Sequence, residues 1–162
     1  MDLQEKILNE AVANGVCDKF KKELQQEGLS DDQLCMMYHR GLDFCIEHNF
    51  PSQEIVQMFD KDVLYRNGIY YDYKGVADTR SHFIVANGES DIYLTVDGVV
   101  SLYVRDNSVA RLTLTRDAFV YVTLRDNATV EIVSRDDDAK AYMSYYSGTI
   151  VNEDKFDQIH YK

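Results

Sequence analysis

The chain has no tryptophan, one proline, three cysteines and only 17 basic residues against 28 acidic ones in 162. Each shortage excludes something. A formal net charge of -11 leaves no clustered Lys and Arg to displace counterions from a phosphate backbone, so neither nucleic acid nor an anionic membrane is expected as a partner. Cys17, Cys35 and Cys45 are an odd set that builds no disulfide framework, and they read as reduced thiols packed like small apolar groups. No apolar run reaches the length of a membrane span. The opening "MDLQEKILNE" is charged and amphipathic where a secretory signal would be apolar, which places the expected protein in the cytoplasm. Also missing are GxSxG, a phosphate loop, a paired metal motif and the hexapeptide repeat of acyltransferase solenoids. No cofactor is implied. With 45% hydrophobic and 28% charged residues the chain is ordinary for a globular protein, and the acidic excess is shared by both halves rather than held in a tail.

Up to about Arg66 the apolar residues recur at helical spacing. Leu3, Ile7, Leu8 and Ala11 form a stripe that Asn14 and Gly15 stop. A second short helix begins near Cys17, carries Phe20 and Leu24, and ends at Gly28. Ser30 with Gln33 makes a capping box for a third, whose Leu34, Tyr38, Leu42 and Cys45 fall on one face. Pro51 suits the first turn of a fourth, through "PSQEIVQMF" and onward to Arg66.

Beyond Gly68 the period changes. "GIYYDY" is aromatic and β-prone, and "RDNSVARLTLTRDAFVYVTLRDNATV" then repeats a polar knot, a small residue and alternating apolar seats every ten residues. In blocks of ten from Ser81 the second position is His82, Ile92, Leu102, Leu112, Val122, Ile132 and Tyr142. The fourth is Ile84, Leu94, Val104, Leu114, Leu124, Ser134 and Ser144. These are the expected inward seats. Asn or Asp recurs at the seventh position, as in Asn87, Asn107 and Asn127, where a side chain is expected to bond its own turn and that of a neighbouring coil. The return of "RDNS" as "RDNA" makes the deeper period twenty. Two arrangements give it: a two-sided β-solenoid, or an antiparallel meander covered by helices. The solenoid closes on itself, whereas a single sheet needs a cover that a few short helices do not supply. The expected fold class is therefore α+β: a helical head over residues 1–68, a connecting segment 69–80, β-repeats over 81–150 and a closing segment 151–162, with head and closing segment sealing the two ends.

The stretches "CDKF", "YHRGLDFCIEHNFPS", "GIYYD" and the "RDNS"/"RDNA" repeats resemble a group of small proteins of Bacteroides-type genomes and their prophages, in which a helical head precedes "DNAxVxV" repeats. The resemblance implies the same fold and a phage or mobile-element setting, and no activity.

Candidate chemistry is sparse. Cys35, His39, Cys45 and His48 are residue types zinc prefers, but helical rotation turns the second pair away from the first. Asp136, Asp137 and Asp138 are hard-cation ligands without the glycine-rich nonapeptide of calcium-binding β-rolls, and read as a solvated turn. His82 and His160 flank the repeats and read as rim residues. Arg105, Arg125 and Arg135 beside Asp106, Asp126 and Asp136 suggest an outward ladder of ion pairs. Tyr65, Tyr70, Tyr71 and Tyr73 cluster at the junction, and Tyr142, Tyr145 and Tyr146 in the last repeat, where they suit capping or a partner. Tyr70, Tyr71, Tyr73, Arg105, Arg125, Tyr145 and Tyr146 are the expected partner surface. The expected function is a non-enzymatic structural or protein-interaction module, with a protein partner or self-association. A carbohydrate-binding or carbohydrate-processing protein and an acidic inhibitor of a host nuclease are the alternatives.

Overall fold

The computed structural model describes all residues, 1–162. The chain forms two compact units, Met1–Asn67 and Gly68–Lys162. No helix is long and apolar enough to cross a membrane.

The first unit holds α1 (Leu3–Ala13), α2 (Asp18–Leu24), α3 (Asp31–Arg40), α4 (Leu42–His48), α5 (Gln53–Val56) and α6 (Lys61–Arg66). Capping boxes open α1 at Asp2 with Glu5 and α3 at Ser30 with Gln33, so free amides of the first turn find acceptors. The single helix expected from Ser30 onward breaks at Gly41, a residue that costs about 1 kcal/mol in a helix interior and divides α3 from α4. The helix expected after Pro51 also breaks. Asp60 turns its carboxylate onto the Asp62 N–H and starts α6 afresh, the competition with the backbone that makes Asp a capping residue. Ile7, Ala11, Leu24, Leu34, Cys45, Phe50 and Ile55 form the buried core of this unit.

The second unit is a two-sided parallel β-solenoid. Its strands are β1 (Ile69–Tyr71), β2 (Lys74–Val76), β3 (Phe83–Asn87), β4 (Asp91–Val96), β5 (Val99–Val104), β6 (Val109–Leu114), β7 (Phe119–Leu124), β8 (Thr129–Arg135), β9 (Lys140–Tyr145), β10 (Thr149–Val151) and β11 (Gln158–Tyr161). They alternate between a sheet ordered β1-β3-β5-β7-β9-β11 and one ordered β10-β8-β6-β4-β2. Every pairing is parallel. A meander would pair successive strands antiparallel in one sheet; here each coil gives one strand to each sheet. The segment 69–80 supplies β1 and β2, and the segment after Gly148 supplies β10, a 3-10 turn and β11, with Phe156 buried.

The repeat is twenty where Val99 pairs with Phe119, Val109 with Thr129 and Thr129 with Thr149. Earlier coils are shorter: Ile84 pairs with Leu102 and Asp91 with Val109, an offset of eighteen. In β8 one extra residue enters, since Leu112 pairs with Ile132 but Thr113 with Ser134, which throws Val133 outward at 49% exposure. This corrects the inward seats. In β9, Ala141 and Met143 pair with Val120 and Val122 inside, while Tyr142 and Ser144 pair with Tyr121 and Thr123 outside. A one-residue slip exchanges the faces of a strand. Ser134 is exposed for the same reason, and His82 precedes β3 and is exposed, its Nδ1 3.1 Å from the Val99 carbonyl. The remaining seats hold: Ile92, Leu112, Val122, Leu124 and Ile132 are wholly buried.

The corners carry a second correction. Asp106 and Asp126 are left-handed, at φ 59 and 61, as is Gly88 at φ 65. A left-handed residue turns its N–H out of the sheet ladder, and the carboxylate one coil further on takes it: Asp106 Oδ2 accepts from Gly88 N at 2.8 Å, and Asp126 Oδ2 from Asp106 N at 3.0 Å. At the opposite corner Asp136 Oδ2 accepts from Arg116 N at 2.6 Å, with Arg116 at φ 52. The ladder therefore runs on the sixth position of the repeat, not the seventh, and Asn107 and Asn127 are exposed. Glycine stands at 88 because a Cβ there would run into Asp72 Oδ1. Ser90, Ser108, Ala118, Ala128 and Ala139 fill the corners from inside at 0–1% exposure.

Candidate functional site

The seven residues expected to face a partner are divided by the structure. Tyr70 pairs with Ala86, points into the solenoid and is 3% exposed, and its hydroxyl accepts the Asp78 N–H at 2.8 Å. Burial raises the Tyr70 and Tyr71 phenols above their ordinary range, with the carboxylates of Asp72, Asp106 and Glu89 adding to the effect at Tyr71. Tyr71 is 8% exposed. Tyr73 spends its hydroxyl on the Val76 carbonyl at 3.1 Å and packs its ring on Tyr70. These tyrosines build the first coil, and burial removes Tyr70 and Tyr71 from the surface.

The outward Arg and Asp ladder is corrected rung by rung. Arg105 is buried, at 2% exposure, 3.5 Å from the Asp106 carboxylate and over the Tyr103 ring. A charge so placed is held by its ion pair and an aromatic face, not by solvent. Arg125 and Asp126 are half-buried, 3.9 Å apart, with Arg125 over the Tyr146 ring. Arg135 leaves the pattern: it pairs with Asp157 at 3.0 Å and donates to the carbonyls of Ala139 and Lys155. Arg135 stands half a coil from Arg125, in the other sheet and opposite Leu114, so no register of the coils aligns the two. Tyr145 donates to the Gly148 carbonyl at 2.9 Å and packs on Tyr161. Only Arg125 and Tyr146 are brought together at a surface, Tyr146 being 36% exposed.

Gly41 breaks the helix between Cys35 and His39 on one side and Cys45 and His48 on the other. Cys35 is buried and its thiol is pushed up to about 12, first by desolvation and then by Asp32 and Asp31. His39 Nε2 lies 2.5 Å from the Asn67 carbonyl, which fixes Nε2 as the donor, and burial lowers its basicity. No three His, Cys, Asp or Glu side chains are grouped so as to hold a metal ion. Asp136, Asp137 and Asp138 are exposed, the first engaged with the Arg116 amide.

The exposed chemistry lies on seats the inward periodicity skips. On the outer face of the second sheet Arg111 reaches Asp91 and Glu131 and stands over Tyr93, itself 50% exposed. On the outer face of the first sheet two rows cross β3 to β9. One holds Val99, Phe119 and Lys140; the other holds Phe83, Ser101, Tyr121 and Tyr142. Phe119 and Tyr142 rings are 5.3 Å apart, and Tyr121 Oη meets Ser144 Oγ. The signal for Phe83, Tyr93, Phe119 and Tyr121 is present in the odd positions of the repeat, where aromatics replace the polar residues that water-facing seats ordinarily carry, whereas Tyr142 reaches this face only through the slip in β9. With this geometry in place, comparison with protein-family models, curated proteins and solved structures finds no match to the chain.

Proposed function

We propose that the protein is a non-enzymatic module for protein interaction or structure, a rigid two-faced solenoid whose outer faces engage a protein. The observation that carries this is the exposure of large side chains on parallel sheets: Tyr93 at 50%, Tyr121 at 41% and Phe119 at 37%. Parallel sheets are ordinarily covered on both faces, and tyrosine and phenylalanine are the residues interfaces favour. The charged residues of the repeats support the same reading. Asp106, Asp126 and Asp136 hold turns, Arg116 pairs with Asp97, and Arg135 with Asp157, so the repeat's chemistry is committed to keeping coils in register. The resemblance to prophage proteins supplies the setting, an accessory of a phage or mobile element.

The test is affinity purification of the tagged full chain from its native host, with the mass of the recovered species measured. A stoichiometric protein partner or a defined self-assembly is expected. A lone monomer without partner, or turnover of a small substrate abolished by His82→Ala, would overturn the proposal.

A further inference from the structure

Building on the reading of the chain as an interaction module, we infer that the open edge of β11 pairs antiparallel with β11 of a second copy, in an isologous dimer that joins two solenoids end to end. The two outer faces take no part in it. β11 is the last strand in the order of the first sheet and pairs only with β9. The Lys162 N–H donates to the Tyr145 carbonyl at 2.8 Å. Backbone groups of alternate residues in a strand point to opposite edges. Gln158, His160 and Lys162 therefore face β9, while Ile159 and Tyr161 turn both N–H and C=O to the free edge.

The other terminal strands of the two sheets are closed. β1 is buried, with Ile69 and Tyr70 each 3% exposed. In β2 the bonds of the Asp91 N–H to Tyr73 and of the Ala77 N–H to Tyr93 leave Lys74 and Val76 at the edge. There the Tyr73 hydroxyl occupies the Val76 carbonyl, and Lys74 adds a charge that discourages pairing. β10 has three residues, and the Thr149 N–H turns to Ala128, so Ile150 alone faces outward. The adjoining Gly148 carbonyl is taken by the Tyr145 hydroxyl at 2.9 Å. β11 carries no such stopper: it has no proline and no bulge, and the Tyr161 hydroxyl goes to Glu153 at 2.8 Å. A bare row of strand donors and acceptors is a template for another strand.

Symmetry selects the occupant. Head-to-tail stacking would need an open edge at the other end of the stack, where β1 and β2 are closed, so self-association through β11 stops at two copies. A two-fold axis normal to the sheet at His160 sets Ile159 opposite Tyr161 of the second copy, and Tyr161 opposite its Ile159. Both are hydrogen-bonded pairs that exchange two N–H···O bonds, so every free group of Ile159 and Tyr161 on the two strands is used. An axis at Ile159 would instead oppose Tyr161 to Asp157, whose amide is already given to Ala141, and one at Tyr161 would leave Ile159 opposite no residue of β11. In the register at His160 isoleucine meets tyrosine twice, the β-branched and aromatic pairing that sheets favour. Gln158 faces Lys162, His160 faces itself, and no carboxylate within the paired strands opposes another. Ile159 lies on the inward side beside Met143 and is only half-buried, so pairing carries the apolar layer of Met143 and Phe156 on into the second copy.

The experiment is sedimentation velocity on the full chain between about 5 and 500 μM, the range that a small edge interface supports, with residue-resolved amide exchange at both ends of that range. The unsubstituted chain is expected to dimerise. The Ile159 and Tyr161 amides should gain protection as dimer forms, while the Lys162 amide, already given to Tyr145, gains less. Tyr161→Pro deletes a donor that faces away from β9, which an edge strand tolerates, and should weaken dimerisation about 30-fold through one lost bond on each copy. Tyr161→Ala keeps that N–H and should weaken it clearly less. His160→Glu opposes two carboxylates and should weaken it about 5-fold. Tyr93→Lys, on the outer face of the second sheet, should leave it unchanged, and far-UV circular dichroism confirms that each variant retains its strands. A monomer at every concentration overturns the inference, as does growth beyond the dimer, a dimer without protection at Ile159 and Tyr161, or one equally disrupted by Tyr93→Lys. A dimer that Tyr161→Pro weakens no more than Tyr161→Ala overturns it too. A monomer that recovers a different protein at stoichiometric yield overturns this inference and leaves the interaction module standing; a monomer with no partner overturns both.

Discussion

Replacing Asp106 separates the three jobs its side chain and backbone perform. The residue sits at φ 59, its carboxylate accepts the buried Gly88 N–H at 2.8 Å, and the same carboxylate faces Arg105 at 3.5 Å with both side chains nearly excluded from water. Asp106→Asn keeps an oxygen acceptor and a residue that tolerates the left-handed region, and loses the charge opposite Arg105; we expect a loss of about 2 kcal/mol. Asp106→Gly adopts the turn without strain but leaves Gly88 N–H without its acceptor, which raises the loss to about 3 kcal/mol. Asp106→Ala adds the left-handed penalty of a Cβ, for about 4 kcal/mol in all. Urea unfolding followed by circular dichroism measures each, and in a chain of this length the alanine variant should melt roughly 10 °C lower. The informative quantity is the gap between glycine and alanine. If alanine is no worse than glycine, left-handed geometry is not what selects Asp here; if all three lie within about 0.5 kcal/mol of the parent, the carboxylate ladder does not hold the coils.

Asn87 is wholly buried and its side-chain amide makes no hydrogen bond, so Asn87→Val should raise the urea midpoint, by about 1 kcal/mol of stability; a fall of that size would show that the amide is satisfied in solution. His39 titrates below its ordinary 6.5 because burial disfavours the imidazolium, against the opposing hydrogen bond to Asn67. The unfolded chain then binds more protons than the folded one as pH falls below 6.5, and the stability His39 contributes, full above that pH, is lost toward its lowered folded pKa. Stability measured from pH 7 to pH 5 should decline more steeply in the parent than in His39→Asn, and parallel profiles would refute the assignment.

Legibility varied along the chain for physical reasons. The stop at Asn14 and Gly15 and the capping box at Ser30 are local events, written in residues three or four apart, and the structure forms both. The breaks at Gly41 and Asp60 are not local in this way, because a weak helix interior bends only when packing rewards it. Asn and Asp at position seven are as suited to a turn as Asp at position six, and the choice falls on six because a hydrogen bond from one coil to the next depends on which residue of the turn is left-handed.

What the sequence by itself determined is the β-repeat: the alternation of apolar seats, the small residue at each corner and the recurrence at ten and twenty together require strands of fixed length returning over a common core. Whether those strands run parallel in two sheets or up and down in one was decided by tertiary pairing, because side-chain alternation is identical in both and only the partner strand differs. The same holds for Tyr70, Arg105 and the rows around Phe119. Burial belongs to neighbours brought together by an offset of sixteen, eighteen, twenty or twenty-one residues, and one inserted residue in β8 is enough to exchange what a strand hides for what it shows.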